Sequence, residues 1–137
     1  MYWKNKRVIV TGGSGFLGRH VCEMLEDRGA IKFVPRSAVY DLRYEDDCNR
    51  LFADFPQPDV ILHLAANVGG IGATGANPAG SFYDNITMGV NMINAAYEQG
   101  VDKFVCMGSV CAYPKFAPVP TLEKNLWLGY PEETNGP

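Results

Sequence analysis

Apolar positions along this chain follow two rhythms. Val8-Ile-Val10 and Val60-Ile-Leu-His-Leu64 are short, nearly uninterrupted apolar runs, the pattern of strands covered on both faces. Ile31 to Val34, apolar around Lys32 and ended by Pro35, reads the same way, as does Lys103-Phe-Val-Cys-Met107. Between these runs the spacing lengthens to three or four residues. Leu17, Val21 and Met24/Leu25 predict one helix, stopped by Gly29; Cys48, Leu51, Phe52 and Phe55 predict a second, closed by Pro56. Phe82, Ile86, Val90, Ile93 and Tyr97 predict the longest, ended by Gly100. Residues 67 to 80 hold five glycines and a proline, which predicts a loop able to approach a ligand closely. Prolines at 114, 118, 120, 131 and 137 leave the last segment little room for regular structure.

Strands alternating with helices of this length imply right-handed crossovers and a parallel sheet covered on both faces. The predicted fold is therefore α/β and Rossmann-like, of strand order 3-2-1-4-5, with a short third strand near Ala38 to Asp41. Composition narrows the function rather than the fold. With 137 residues, the chain has one domain's length, and at 47% hydrophobic it is too apolar for a disordered tail. No apolar stretch reaches the roughly 20 residues of a membrane span. The start of the chain passes into glycines after three apolar residues, so no secretory signal is expected and the default compartment is the cytoplasm. A net charge of -3 without a basic cluster argues against nucleic-acid or membrane surfaces. Cys22, Cys48, Cys106 and Cys111 are irregularly spaced with no Cys-x-x-Cys pair, so neither a metal cage nor a disulfide framework is expected.

The chemistry begins where the first strand ends. Gly12, Gly13, Gly15 and Gly18 fit both Gly-x-Gly-x-x-Gly and Gly-x-x-Gly-x-x-Gly, so spacing alone does not choose between two versions of a dinucleotide fingerprint. Context carries more weight: the glycines follow a strand and open a helix. Glycine there permits a tight turn, close backbone approach to a pyrophosphate and close helix-to-strand packing, and the helix start offers N–H groups to phosphate. Gly12, Gly15 and Gly18 are expected at the pyrophosphate, and Phe16 and Leu17 among the cofactor-binding residues. The end of the second strand sets the cofactor. An NAD site places an acid there for the ribose 2'-hydroxyl, whereas Pro35-Arg36-Ser37 offers a cation and no acid lies between Gly29 and Tyr40. Arg36 thus favours the 2'-phosphate of NADP over NAD. Asp41 and Leu42 are placed beside the adenine.

The glycine loop, Asp41-Leu42, His63-Leu-Ala-Ala66 and a serine closing the last long strand resemble the extended short-chain dehydrogenases/reductases of the nucleotide-sugar epimerase/dehydratase type. Ala65-Ala-Asn-Val-Gly-Gly-Ile71 and Gly108-Ser-Val-Cys-Ala-Tyr-Pro-Lys115 resemble more narrowly the GDP-L-fucose synthases, NADPH-dependent 3,5-epimerases and 4-reductases acting on GDP-4-keto-6-deoxymannose. The resemblance covers essentially the whole chain. It implies that Ala65 and Ala66 line the cofactor, that Ser109 hydrogen-bonds the C4 carbonyl, and that Cys111 is the acid/base beside it. Asn85 is expected either toward the cofactor or toward solvent. Outside the motif, a serine after a strand is commonly a helix cap and a cysteine two residues on a small core residue. Cys22, Cys48, Cys106 and His63 read as packing residues.

Val110 stands where the family often has a second serine. In the family a segment like Glu132-Glu-Thr-Asn-Gly-Pro137 is followed by a Tyr-x-x-x-Lys pair that this sequence does not reach, and Tyr113 has no lysine four residues on. The expectation is an NADP-binding part of such an enzyme, lacking the sugar-binding domain, little active alone and prone to self-association; the native enzyme is expected to be a homo-oligomer. Other nucleotide-sugar epimerases or dehydratases, and a non-enzymatic dinucleotide-binding sensor, share much of the same pattern.

Overall fold

The computed structural model describes residues 2–133. The last four residues of the Glu132–Pro137 segment lie outside them. The chain forms two compact units: residues up to Asn67 together with Ala79–Met107, and Val68–Pro78 together with the chain from Gly108 onward.

The first unit carries a four-stranded sheet. Strand β1 (Arg7–Thr11) is followed by helix α1 (Phe16–Asp27), β2 (Ile31–Phe33), α2 (Glu45–Asp54) and β3 (Val60–His63). Helix α3 (Gly70–Ala76), α4 (Pro78–Glu98) and β4 (Lys103–Cys106) complete the series. All strand pairs are parallel and the order is β2-β1-β3-β4, the predicted order without its third strand. Residues 37–39 form a turn instead, and 40–41 belong to no strand. The Arg36 carbonyl accepts from the N–H of both Val39 and Tyr40 at 2.9 Å, and Arg50 donates to the Val39 carbonyl, so backbone groups a strand would need are already closed locally. Tyr40 then turns into the core, its hydroxyl donating to Asp54 at 2.6 Å.

Strand β1 shows why the sheet is covered twice. Ile9 packs with α2 and α4 through Leu51, Phe52, Met92, Ala95 and Ala96, while Val8 and Val10 pack with α1 through Cys22 and Leu25. Alternate residues of a strand face opposite sides, so a continuous apolar run feeds both layers. Each fully buried side chain of this size contributes about 1.5–3 kcal/mol.

Three expectations need correction. Helix α1 buries Gly18, Cys22 and Leu25 rather than Leu17 and Met24, because Gly18 is pressed against the backbone of Gly12 and Gly13 and that contact fixes the helix rotation. The predicted loop at 67–80 contains α3, and Pro78 opens α4, where its fixed φ suits a first helical turn. The long helix is present, but its large apolar stripe faces outward: Ile86 is 48% exposed and Tyr97 83%, with Phe82, Val90 and Ile93 between these or near them. Met92, Ala95 and Ala96 face the core instead and join its cluster with Ile9 and Ile61. Gly29 and Gly100, at φ +74° and +65°, stop α1 and α4 as expected; Ala30 N–H closes onto Leu25 and Val101 N–H onto Ala96.

Among the described residues, the second unit has, besides α3, only short 3-10 turns at Val110–Ala112 and Glu123–Trp127. Asn125, buried, accepts from the Leu122 N–H, and Lys115 ties the segment together by donating its N–H to Tyr130 and its ammonium to Glu133 at 2.7 Å. Among the described residues no helix is long and apolar enough to cross a membrane.

Candidate nucleotide-binding site

The turn after β1 is built by close backbone contact. Gly12 has φ +67°, and a Cβ there would lie 2.7 Å from the Leu64 carbonyl oxygen and 2.8 Å from the Ala65 nitrogen. At Gly18 a Cβ would lie 2.2 Å from the Gly12 oxygen. These two positions exclude any side chain. Gly15 differs: it has ordinary φ (-77°), and its Cβ would approach only the Gly12 oxygen, at 3.1 Å. The turn is closed by Gly13 N–H to Val10 and Gly15 N–H to Gly12. No side chain caps α1, and its first intrahelical bond is Arg19 N–H to Gly15. The amides of Phe16, Leu17 and Gly18 are those a helix start leaves without an intrahelical acceptor, and they suit an anion. Phe16 and Leu17 are exposed, so what this turn offers at those positions is backbone.

Arg36 lies beyond β2, exposed, in the turn that its own carbonyl closes. Among the described residues its guanidinium has no carboxylate partner, so it is a cation available to a phosphate. Asp41 is otherwise engaged. Arg43 grips its carboxylate from Nε (2.9 Å to Oδ1) and Nη2 (2.7 Å to Oδ2), which holds the carboxyl below its ordinary range. Arg43 also reaches Asp84 on α4 at 3.2 Å, and Asp84 accepts from the Asn67 side chain at 2.8 Å. Leu42 is a core side chain; its backbone carbonyl accepts from Asn91 at 3.1 Å. Any contact of Leu42 with an adenine is therefore through backbone.

Asn85 faces the end of β3 rather than open solvent: its Oδ1 accepts from the Asn67 N–H at 2.7 Å and its Nδ2 donates to the Asn67 carbonyl at 3.1 Å. Ala65 is partly buried and Ala66 exposed. Ala65 donates its N–H to Thr11 Oγ1 at 3.2 Å, and Thr11 Oγ1 lies 2.9 Å from His63 Nδ1. Sequence reading had placed His63 as a packing residue, and it missed Thr11, Arg43, Asp84 and Asn67. Pairing the first and third observed strands would have found one of these links, since Thr11 and His63 are register partners.

In the second unit, Ser109 caps the Val110–Ala112 turn, its Oγ accepting from the Cys111 N–H at 3.1 Å. The cap role and a substrate role are compatible, because a hydroxyl that accepts at one lone pair still has its proton to donate. Cys111 is exposed, as is Cys106, whereas Cys22 and Cys48 are buried. Burial pushes the Cys48 thiol up to about 11, which suits an inert packing residue. The spacing Tyr-x-x-x-Lys occurs once in the sequence, at Tyr2 and Lys6. Lys6 is bound to Asp59 at 2.6 Å beside the start of β1, at the opposite end of the strand from the glycine turn.

Residues 8–135 match the NAD dependent epimerase/dehydratase family. The chain belongs to this family. Among epimerase/dehydratase relatives, the GDP-L-fucose synthase of Escherichia coli (strain K12) is 36% identical over 139 residues, covering 96% of this chain and 41% of that protein. GDP-L-fucose synthase 1 of Arabidopsis thaliana is 35% identical over 133 residues, with coverages of 96% and 41%. The crystal structure of a GDP-L-fucose synthetase from Naegleria fowleri bound to NADP is 28% identical and superposes with a TM-score of 0.83, covering 97% of this chain and 40% of that one. This epimerase/dehydratase chain thus spans about two-fifths of the length of the curated relatives it matches.

Proposed function

We propose that the chain is the NADP-binding part of a nucleotide-sugar 3,5-epimerase and 4-reductase that converts GDP-4-keto-6-deoxymannose to GDP-L-fucose. The observation that carries the cofactor half of this reading is the glycine turn, where Gly12 and Gly18 have no room for a Cβ and an uncapped helix start follows. Gly12, Gly15 and Gly18, with the amides of Phe16 and Leu17, would hold the pyrophosphate. Arg36 would take the 2'-phosphate, Asp41 and Leu42 would lie beside the adenine, and Ala65 and Ala66 would line the cofactor. The relatives named GDP-L-fucose synthase support the substrate half.

NADPH, when bound, would supply the hydride that reduces C4. In this reading Ser109 donates a hydrogen bond to the C4 carbonyl oxygen and Cys111 moves protons at the neighbouring carbons. A ketone at C4 acidifies the C–H bonds beside it, so one polarised carbonyl serves epimerisation and then reduction. A thiol suits the proton step because its reference pKa, about 8.5, is near neutrality. The reading also holds that this chain alone turns over little, since its one Tyr-x-x-x-Lys spacing, Tyr2 and Lys6, stands before β1, at the opposite end of that strand from the glycine turn. Incubating it with NADPH and GDP-4-keto-6-deoxymannose tests that part: negligible NADPH oxidation is expected, and steady turnover would overturn it.

A further inference from the structure

Arg43 stands two residues beyond Asp41 and binds both oxygens of its carboxylate. Oδ1 accepts from Nε at 2.9 Å and from the Arg43 N–H at 3.1 Å. Oδ2 accepts from Nη2 at 2.7 Å, with Nε at a longer 3.3 Å. The remaining nitrogen, Nη1, reaches away to Asp84 on α4 at 3.2 Å, and Asp84 accepts from the Asn67 side chain at 2.8 Å. A planar guanidinium bonded along both edges cannot rotate, so α4 sets the plane in which Arg43 meets Asp41. The Asp41 backbone is fixed separately, its N–H donating to Asp47 on α2 at 2.7 Å.

A carboxylate offers about four acceptor positions. Nε and the Arg43 N–H fill those of Oδ1, and Nη2 takes one of Oδ2, so among the described residues the second position of Oδ2 is left for a further donor. The Asp41 side chain is 30% exposed, so that position is within reach of a ligand. We propose that Arg43, braced by Asp84, is a positioning residue that turns the open side of Asp41 Oδ2 toward the 6-amino group of the adenine. Partly exposed ion pairs contribute little to stability, so the effect of this one is expected in the aim of an acceptor and not in the holding of the fold. Lysine in place of Arg43 offers one ammonium instead of a fork, and it cannot hold the two carboxylates in one plane.

The inference rests on the dinucleotide-binding reading, and a pair of ligands keeps the two apart. Titrating this chain with NADPH and with its analogue carrying unsubstituted purine in place of adenine isolates the amino group, because the two bases share their ring nitrogens. Wild type should bind the analogue roughly ten-fold more weakly than NADPH. Arg43→Lys should weaken NADPH roughly ten-fold and leave the analogue nearly unchanged, and Asp84→Ala should act in the same sense to a smaller extent. Thermal melts should show each variant folded at the assay temperature. Equal weakening of both ligands marks a merely structural role and overturns the proposal, as does a folded Arg43→Lys that keeps the wild-type preference. Equal binding of the two ligands by wild type overturns it whether or not the variants fold. A wild-type chain that binds neither NADPH nor NADH removes the dinucleotide reading and this inference with it.

Discussion

Single residues of the glycine turn separate two demands that a motif merges. At Gly18 the demand is packing: a Cβ 2.2 Å from a carbonyl oxygen forces the helix off the strand. Gly18→Ala should therefore lower stability by about 1–3 kcal/mol in urea titrations, with nucleotide binding lost as well. Gly15 has ordinary backbone angles and only a 3.1 Å approach to relieve. Gly15→Ala should remain within about 1 kcal/mol of wild type while weakening NADPH binding, because its methyl group would stand where phosphate approaches the helix start. Arg36→Ala should weaken NADPH by roughly 10- to 100-fold and leave NADH unchanged, the effect of removing a hydrogen-bonded charge from a single phosphate. The glycines and Arg36 were legible in the sequence because their meaning is local, a spacing or a position after a strand. Thr11 and His63 were not, because their partnership spans 52 residues and exists only once β1 and β3 pair.

Elements were legible in kind and less so in facing. The apolar runs gave all four observed strands and their parallel arrangement, and Gly29 and Gly100 stop their helices as expected. Apolar spacing predicted α1 and α4 as helices without fixing which face is buried: α1 buries Gly18, Cys22 and Leu25, and α4 buries Met92, Ala95 and Ala96. The predicted third strand failed because turn hydrogen bonds to Arg36 compete locally with a ladder. A buried histidine at the end of β3 also makes the sheet sensitive to pH. Desolvation holds the His63 imidazole below its ordinary value of 6.5, so as pH falls below 6.5 the unfolded chain takes up a proton that the folded chain resists. Stability should fall with pH from that point until the folded imidazole titrates. Chemical denaturation across this range should record the slope, and His63→Phe should flatten it.

At the scale of the molecule, the α4 stripe of Phe82, Ile86, Val90, Ile93 and Tyr97 is exposed, and β4 lies at a sheet edge. Both invite association between copies. Light scattering at high concentration should find self-association, with Ile93→Glu reducing it at unchanged melting temperature; a monomer throughout would count against this. The placement of the candidate site residues was legible in outline, since glycine turn, Arg36 and the Ala65-Ala66 segment all follow the ends of parallel strands. The polar links from Arg43 through Asp84 to Asn67 were hidden, being contacts of side chains on separate elements. The account stands most directly on its cofactor. A fluorescence titration of the chain with NADPH and NADH should give saturable binding of both, tighter for NADPH; no binding, or tighter binding of NADH, would contradict it.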